Sequence, residues 1–332
     1  MKTKSSVLQD STVSLQKELK KKILITGWYG MLAYDFVRTQ GDTYDIVAVD
    51  RDECDITSFE SVVQCINLHE PDILLNCAAY TAVDDAEDIG TKMCYDVNVL
   101  WVYNLARATS VFGVDFITIS TDYVFDGTNA GWYLPTDTPN PIGVYGMSKY
   151  LGERLALQEN PRTIIVRTSW LYGGKRMTGL QNNRITEGIE TCKSESLWNG
   201  KPDGIFKNFV NTMVKLSETR NELKVIDDQH GIPTSCVDLS WAISEIIEDM
   251  WAWEVYDHIF HFSNSCEEGS ITWADFSREI FHILEKDIHI ENCSTEEYPL
   301  KAKRPSWSIL KNTSDIVLPD WKFWLKRYLG GK

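Results

Sequence analysis

Short runs of apolar, mostly β-branched residues alternate along the first half of the chain with longer stretches of helical periodicity. The apolar runs predict strands at residues 23–26, 46–50, 72–77, 115–120 and 163–168. The stretches between them contain no proline and predict helices at residues 31–40, 59–69, 92–112 and 146–158. Strands that alternate with helices form parallel sheets covered on both faces by right-handed crossovers. The pattern therefore predicts an α/β fold with a doubly wound, Rossmann-type parallel sheet.

The pattern of apolar residues loosens after residue 172. Residues 173–204 are polar and contain few side chains that could anchor them to a core, so they are predicted to be an insertion or mobile loop. Because this stretch comes soon after Trp170, we expect part of it to order over a ligand pocket as a lid.

Shorter elements follow in the last third of the chain. Helical spacing recurs at residues 206–217, 237–250 and 273–284, and strand-like runs occur at 224–226 and 258–262. These are too few for a second sheet of comparable size, so they suit a small substrate-binding lobe. The predicted organisation is a polar N-terminal extension (1–20), a cofactor-binding domain (21–172), the insertion (173–204), and a region (205–332) that is mainly the lobe, with elements returning to the Rossmann core.

Composition narrows the classes of function. The formal net charge is -15 at pH 7, which argues against nucleic acid as a partner. Eight cysteines are scattered without a C-x-x-C pair, which is typical of reduced thiols in a cytoplasmic protein. The first residues lack the apolar run of a secretory signal, and no later run is long enough to span a bilayer, so we expect no membrane partner.

Small residues mark the turn between the first predicted strand and the first predicted helix. Gly27, Gly30 and Ala33 form a G-x-x-G-x-x-A string there, which lets backbone N–H groups and the helix N-terminus approach a pyrophosphate. Taken alone, such a string is explained equally well by a structural turn. Its place at the first strand of an alternating chain favours a dinucleotide-binding site.

Charged residues at the end of the second predicted strand are candidates for binding the cofactor ribose. The carboxylate of Asp50 suits the ribose hydroxyls of NADH, and the guanidinium of Arg51 suits the 2′-phosphate of NADPH. The choice between NADH and NADPH therefore stays open. Asp55 precedes the next predicted helix and is either an N-terminal helix cap or a contact to adenine.

A phenol and an ammonium lie four residues apart on the fourth predicted helix. Tyr145 and Lys149 share one helix face at this spacing. A nearby cation lowers the pKa of a tyrosine, so we expect Lys149 to make Tyr145 a usable general acid. The fourth strand ends in Ser120 and Thr121, whose hydroxyls reach the ligand-binding edge of the sheet. Thr121 is expected to hydrogen-bond a carbonyl oxygen that Tyr145 protonates.

These residues resemble a known family, the dTDP-4-dehydrorhamnose reductases within the extended short-chain dehydrogenases/reductases. The likeness covers residues 22 to about 312. It rests on segments in a fixed order: NCAAYTAVD (76–84), STDYVFDG (120–127), YGMSK (145–149), RTSWLYG (167–173), DQHGIPT (228–234) and RP (304–305).

The resemblance implies roles for individual residues. The implied catalytic set is Thr121, Tyr145 and Lys149. The residues implied to bind or support the cofactor site are Gly27, Tyr29, Gly30, Met31, Leu32, Asp50, Arg51, Asp55, Ile56, Ala78, Ala79, Tyr80, Asn98, Tyr145 and Lys149, with Asp55 and Ile56 at the adenine and Asn98 supporting the catalytic helix. The residues implied to bind the sugar nucleotide are Thr81, Val83, Thr121, Asp122, Tyr123 and Trp170.

The chain departs from the family pattern at several positions. Ala33 replaces the usual third glycine, Trp28 and Tyr29 are bulkier than the family's small residues, and Gly143 stands where asparagine is common. The largest departure is the stretch 173–204, which is a short link in the family.

The resemblance implies an enzyme that transfers a hydride from NADPH or NADH to C4 of dTDP-4-dehydro-6-deoxy-L-mannose, giving dTDP-L-rhamnose. Two alternatives stay open: a non-catalytic NADP-binding subunit like the regulatory subunit of methionine adenosyltransferase, and a sister nucleotide-4-ketosugar reductase. A homodimer is the expected assembly. His258 and His261 point to opposite faces of their strand-like run, so no metal site is expected.

Overall fold

The computed structural model describes residues 20–174, 206–252, 258–298 and 300–330. The strands are β1 Lys22–Thr26, β2 Asp45–Val49, β3 Ile73–Asn76, β4 Asp115–Thr121, β5 Thr163–Thr168, β6 Leu171–Tyr172, β7 Glu222–Ile226, β8 His230–Gly231, β9 Thr234–Ser235, β10 Ile259–Phe262, β11 Ile271–Thr272 and β12 His289–Cys293. The α-helices are α1 Met31–Gln40, α2 Phe59–His69, α3 Val83–Ala86, α4 Thr91–Tyr95, α5 Val102–Phe112, α6 Val144–Glu159, α7 Phe209–Leu216, α8 Cys236–Ala252, α9 Trp273–Ile283 and α10 Trp321–Leu329.

Within the described residues, six parallel strands form the main sheet in the order β10-β5-β4-β3-β1-β2. The order reverses beside β1, which places the ends of β1 and β3 at a topological switch point. The predicted Rossmann-type α/β fold is confirmed.

Strand β10 is one of the elements of residues 205–332 that return to the Rossmann core. The spacing of residues 258–262 alone suited the substrate lobe, but Ile259–Phe262 pairs with β5 at the edge of the main sheet. Three of its four side chains are apolar, so pairing there satisfies backbone groups and buries Phe262. Helix α8 likewise packs on α1, on one face of this sheet.

Two hydrophobic layers cover the main sheet. One layer, with α1 and α8, includes Phe36 and Ile243, and the other, with α2, α5 and α6, includes Val62 and Leu105. The strands between them are apolar on both faces, as expected for a parallel sheet. The sheet is therefore a rigid platform for the residues at its carboxyl edge.

The predicted helix at residues 92–112 is interrupted. A π-helical segment, Asp96–Trp101, separates α4 from α5. It turns the Asn98 side chain towards the loop after β3 and towards α6, where its amide finds partners. Such π-segments are frequent at functional sites and leave no pattern in hydrophobic spacing.

The smaller lobe is built on short strand pairs and aromatic side chains. Strands β7 and β12 pair in parallel beside α9. Phe276 on α9 and Trp321 on α10 are buried at its centre, with their rings edge to face at 5.6 Å. Large rings bury the most area per residue, so they stabilise a lobe that has little sheet.

Residues 175–205 lie outside the described part of the chain, as does the lid expected there. The described residues on either side of that stretch are held together. The carboxylate of Asp35, buried in α1, accepts a hydrogen bond from the Gly174 amide at 2.7 Å, and the Asn208 side chain donates to the Gly173 carbonyl at 3.3 Å. Among the described helices, none is long and apolar enough to cross a membrane.

Candidate active site

Polar side chains join the carboxyl ends of β1, β3 and β4. The Thr26 hydroxyl donates to Asn76 Oδ1 at 2.8 Å, and Asn76 Nδ2 donates to the Thr118 hydroxyl at 3.0 Å. Asn76 Oδ1 also accepts from the Ala78 amide at 3.1 Å. One buried side chain therefore fixes the loop after β3 against the neighbouring strands.

The turn after β1 brings its backbone close to that loop. Gly27 has φ +77°, and a β-carbon there would lie 2.6 Å from the Ala78 nitrogen, so only glycine fits. Gly30 caps α1 without a side-chain hydrogen bond, and the first turn of α1 holds no acidic residue. The α1 N-terminus therefore presents backbone N–H groups and positive helix-dipole potential to an anion.

The other residues of this turn contribute differently. Leu32 is buried in the core, so only its backbone faces the turn, whereas Tyr29 is exposed and Met31 is half-buried. Ala33, in place of a third glycine, is fully buried where α1 packs on the sheet. The substitution is therefore accommodated by packing.

Asn98 organises the loop after β3 and the catalytic helix together. Its Oδ1 accepts from the Tyr80 amide at 2.9 Å, and its Nδ2 lies 3.1 Å from the Tyr80 carbonyl and 3.0 Å from the Ser148 hydroxyl. All of its contacts within the described chain are to protein groups. Asn98 thus supports both walls of the site, as the resemblance implies for α6. Ala79 is exposed and Ala78 half-buried beside Tyr80.

Asp50 and Arg51 follow β2 at the same edge. The Asp50 amide donates to the Glu53 carboxylate at 2.9 Å, and Arg51 is exposed. Neither side chain makes a hydrogen bond or an ion pair with the described residues. The positive charge of Arg51 slightly lowers the pKa of Asp55.

Asp55 is not the helix cap that its position allowed. Ser58 caps α2 by accepting from the Ser61 amide, and Asp55 Oδ1 accepts from the Thr57 amide at 3.1 Å. Hydrogen bonds from Thr57 lower the pKa of Asp55. A turn of three residues separates Asp55 from the helix, so the nearer serine takes the capping position. Asp55 and the adjacent Ile56 are half-buried.

The predicted catalytic residues converge at the end of β4. Tyr145 and Lys149 lie on α6, and the Thr121 hydroxyl lies close enough to Tyr145 to influence its pKa. Lys149 Nζ donates to the Ile119 carbonyl oxygen at 2.7 Å. A β-carbon at Gly146 would overlap the Tyr123 carbonyl oxygen, so glycine lets α6 approach the strand end closely.

The predicted effect of Lys149 on Tyr145 is wrong for this structure. Burial raises the pKa of Tyr145 above its usual value, and the neighbouring Thr121 hydroxyl opposes this rise. Burial also lowers the pKa of Lys149 to about 8, and its ammonium is directed at a backbone carbonyl. Tyr145 therefore holds its proton throughout the neutral range, which suits a proton donor.

A buried carboxylate lies behind Thr121. The Thr121 hydroxyl donates to Asp122 Oδ1 at 3.0 Å and accepts from the Tyr123 amide at 3.2 Å. Asp122 Oδ2 accepts from the Ser308 hydroxyl at 2.5 Å. Burial raises the pKa of Asp122 to about 6, opposed by the Ser308 and Thr121 hydrogen bonds. Two hydroxyls and the backbone amides of Asp122 and Tyr123 orient this carboxylate, and no ion pair reaches it in the described chain.

We call residues 300–318 the C-terminal segment, which contributes Ser308 and also Arg304. Arg304 binds Asp84 in a bidentate ion pair, with Nη2 2.7 Å from Oδ2, and its charge lowers the pKa of the neighbouring Tyr123 hydroxyl against the larger effect of burial. The Tyr123 ring meets the Tyr145 ring edge to face at 5.7 Å. The C-terminal segment therefore holds a wall of the site beside the proton donor.

The remaining predicted sugar contacts lie on two sides of this site. Thr81 is exposed in the loop after β3 and Val83 begins α3. Trp170, in left-handed backbone conformation with φ 47°, stacks on Trp273 of the lobe with ring centroids 3.5 Å apart. A β-carbon at Gly231 would overlap the Trp170 ring, so the indole is packed between lobe elements.

Sequence reasoning missed Asp84, Asn76, Ser308 and the role of Arg304. Asn76 and Arg304 stand in the segments that carry the resemblance. Asn76 could also have been found as a polar residue at the end of an apolar strand. Ser308 is 186 residues from Asp122, and one serine in an irregular segment gives no signal. His258 and His261 stay apart, and the described residues contain no cluster of three or more metal-ligating side chains.

A parallel sheet with a glycine turn at its switch point and a Thr-Tyr-Lys site at its edge defines a Rossmann-type oxidoreductase of the short-chain dehydrogenase kind. The chain also matches the family model of the RmlD substrate binding domain over residues 21–185 and 203–330. The protein belongs to this family.

Relatives named as deoxysugar-nucleotide reductases cover 80–93% of the chain. The dTDP-4-dehydrorhamnose reductase of Aggregatibacter actinomycetemcomitans is 34% identical over 319 residues, which are 92% of this chain and 97% of that protein. The dTDP-4-dehydrorhamnose reductase of Bacillus anthracis, solved in complex with NADP, superposes with a TM-score of 0.79 at 32% identity, covering 93% of this chain and 98% of that one. The dTDP-4-keto-6-deoxy-D-glucose reductase of Streptomyces niveus is 32% identical, over 80% of this chain and 79% of that protein.

Proposed function

We propose that the protein reduces the C4 keto group of dTDP-4-dehydro-6-deoxy-L-mannose to dTDP-L-rhamnose, with NADPH or NADH as reductant. The observation that carries this proposal is the meeting of Thr121, Tyr145 and Lys149 at the ligand-binding edge of the sheet. Relatives named for this activity support it. An intact proton donor argues against a purely regulatory NADP-binding subunit.

The residues at the glycine turn fit a dinucleotide. The Gly27 backbone approaches the loop after β3 more closely than any side chain would allow, and α1 begins without a side-chain cap. The Ser120 hydroxyl, buried at the end of β4, has no hydrogen-bond partner among the described residues. A bound nicotinamide cofactor would supply the hydride. Asp50 and Arg51 would then face the adenosine ribose, and Asp55 and Ile56 the adenine.

Each side chain of the site then has a task. Tyr145 donates its proton to the oxygen of the former keto group, and its protonated state at neutral pH follows from its burial. Thr121 orients that oxygen, and Lys149 stabilises the charge left on the phenolate and binds the ribose. Tyr123, held by Arg304, bounds the sugar together with Thr81, Val83 and Asp122.

The test is reduction of the keto sugar by the purified full-length chain. Oxidation of NADPH should depend on dTDP-4-dehydro-6-deoxy-L-mannose, and NMR of the product should identify dTDP-L-rhamnose. The sister activity is favoured by one relative, so dTDP-4-keto-6-deoxy-D-glucose is assayed in parallel. Faster turnover of the D-sugar would replace the proposal with the sister reductase, and no turnover of either sugar would overturn both.

Two further proposals concern the setting of the enzyme. The cysteines of the described residues are free thiols, which supports the proposal that the enzyme is cytoplasmic. A secreted pool found by cell fractionation would contradict that proposal. Apolar side chains at Met93, Leu100 and Leu151 are exposed on neighbouring helical segments, which supports a homodimer through this face. Sedimentation of a monomer at micromolar concentration would contradict the dimer.

A further inference from the structure

A second charged side chain lies one helical turn beyond Lys149. Glu153 is four residues further along α6, so the two side chains share one face of the helix. Both are buried, with 5% of Lys149 and 3% of Glu153 exposed. Two opposite charges in a poorly solvated place interact more strongly than a surface pair.

Glu153 is fixed in place by Arg167 at the carboxyl end of β5. Arg167 Nε donates to Oε1 at 2.9 Å and Nη2 donates to Oε2 at 2.7 Å. Arg167 is itself 1% exposed, and its guanidinium lies over the Phe125 ring at 5.3 Å. The bidentate geometry provides two charge-assisted hydrogen bonds and holds the carboxylate in one orientation.

The third member of this cluster is an uncharged histidine. His261 on β10 has Nδ1 2.9 Å from the Tyr133 carbonyl oxygen and Nε2 3.3 Å from Arg167 Nη1. A carbonyl can only accept, so Nδ1 donates and Nε2 accepts from the guanidinium. Burial, with repulsion from Arg167, lowers the pKa of His261 to about 3. The histidine therefore orients Arg167 without competing for Glu153.

Glu153 is the anion among the groups that surround Lys149. The titratable neighbours are Glu153 on the same helix, Cys94 on α4, Cys77 after β3, and Tyr145 one turn earlier. Burial raises the pKa of Cys77 to about 12 and also raises that of Cys94, so both are neutral thiols near pH 8. Burial lowers the pKa of Lys149, and Glu153 is the strongest influence that opposes this.

We propose that Glu153, anchored by Arg167, is a positioning residue that keeps the buried Lys149 ammonium charged at the pH at which the enzyme works. The inference rests on the proposed function for its meaning in catalysis, but the charge state of Lys149 is a property of the protein alone. Without the carboxylate, Lys149 would lose its proton at a lower pH. It would then stop stabilising the charge left on Tyr145.

The test uses three variants and a matched control. Glu153→Gln removes the charge but keeps the shape, and Glu153→Gln combined with Arg167→Gln removes both charges, so that no ion is left unpaired if the single variant folds poorly. Glu153→Asp keeps the charge. Glu218→Gln, an exposed carboxylate at the end of α7, controls for the loss of one negative charge elsewhere.

Two readouts are followed from pH 6 to 10. One is the rate at which acetic anhydride labels Lys149 in the cofactor-free protein, measured by mass spectrometry against an internal amine standard. The other is kcat/KM for the keto sugar. In Glu153→Gln the labelling inflection should move down by about one pH unit, as expected for loss of one nearby buried charge, and the alkaline limb of kcat/KM should move with it. The double variant should shift both in the same direction by less, because it also loses the repulsive Arg167 cation.

Glu153→Asp and Glu218→Gln should keep both inflections close to those of the unaltered protein. Labelling inflections that stay in place in folded Gln variants would overturn the proposal and leave Glu153 with a role in packing only. If labelling shifts while the protein turns over neither sugar, the charge relation stands and the proposed function fails. The two failures are therefore distinguishable.

Discussion

The sheet edge and the C-terminal segment both contribute to the site, but they are built differently. At the sheet edge, Gly27, Asn76 and Thr121 lie at the ends of β1, β3 and β4, which are neighbours in the sheet. Their positions follow from strand pairing. The C-terminal segment has little regular structure and reaches the site through Arg304 and Ser308. Strand pairing positions the residues of the first region. The second region is held to the fold by backbone hydrogen bonds near His230 and Tyr133, and it acts on the site through side chains.

This difference predicts how each region responds to change. Backbone positions tolerate no added atom, as the close approach of Gly27 to Ala78 illustrates, yet they keep their place when a neighbouring side chain is altered. A side chain in the second region reaches the site through one or two hydrogen bonds, so its loss weakens the hold on its target. Reactive groups belong on the first kind of support, and groups that shape the substrate pocket can belong on the second.

The largest effect is expected at the sheet edge, from Tyr145→Phe. The ring and its contact with Tyr123 remain while the proton donor is lost, so kcat should fall by roughly 10²–10⁴-fold with cofactor affinity unchanged. Steady-state kinetics and a fluorescence titration with NADPH measure the two quantities. Tyr150→Phe on the same helix is the control, and near-normal kcat in Tyr145→Phe would contradict the assignment of the acid.

The next largest effect concerns stability and comes from the carboxylate of Asp122, which accepts a hydrogen bond from Ser308. Asp122 has a pKa of about 6 in the folded protein against 3.8 ordinarily. Between these values the folded state binds more protons than the unfolded state, so the free energy of unfolding falls as pH rises from about 4 to about 6 and stays lower above that. Asp122→Asn removes this loss. The variant should gain about 2–3 kcal/mol relative to the parent on going from pH 4 to pH 8.

Urea denaturation at both pH values measures that difference for Asp122→Asn. Asp315→Asn, an exposed residue in the same segment, should show no change in relative stability between the two pH values. If the stability difference between Asp122→Asn and the parent were the same at both pH values, burial would not raise the pKa of Asp122 in the folded protein.

A smaller effect is expected from Arg304→Gln. The variant removes the contacts of Arg304 with Tyr123 and Asp84, although Asp84 keeps its bond from the Ala302 amide, and it leaves Tyr145 and its support intact. A hydrogen bond to a charged group contributes about 1.5–3 kcal/mol, so KM for the keto sugar should rise roughly tenfold with kcat little changed. Arg278→Gln, an exposed arginine of the lobe, is the kinetic control. A fall in kcat without a rise in KM would place Arg304 in the chemistry and erase the distinction between the two regions.

The two regions also differ in how far the sequence could predict them. Strand ends, the glycine turn and the Tyr145–Lys149 spacing follow from local periodicity, and the structure has them at one edge. The pairing of β10 with β5 and the Ser308–Asp122 hydrogen bond depend on contacts between distant residues, for which one sequence has no local signal. The direction of the Tyr145 pKa was mispredicted for a related reason: burial outweighs a neighbouring charge, and burial is a tertiary property.

The smallest effect is expected back at the sheet edge, at Asp50. Its side chain follows β2 and supports no element of the described fold, and only its backbone is engaged, with Glu53 and Cys54. Asp50→Ala should therefore leave stability unchanged and remove one acceptor for ribose hydroxyls. Asp50 is only half-buried, so water screens its charge and the hydrogen bond contributes about 0.5–1.5 kcal/mol; the Kd for NADH should rise roughly three- to tenfold. NADPH should lose less affinity, because Arg51 remains to bind its 2′-phosphate.

Asp52→Ala, two residues further along and exposed, separates the loss of this contact from a general loss of negative charge. Equal weakening of NADH and NADPH binding in parallel fluorescence titrations would show that Asp50 acts on the turn and not on the ribose, and the sheet edge would then depend on a side chain in the way the C-terminal segment does.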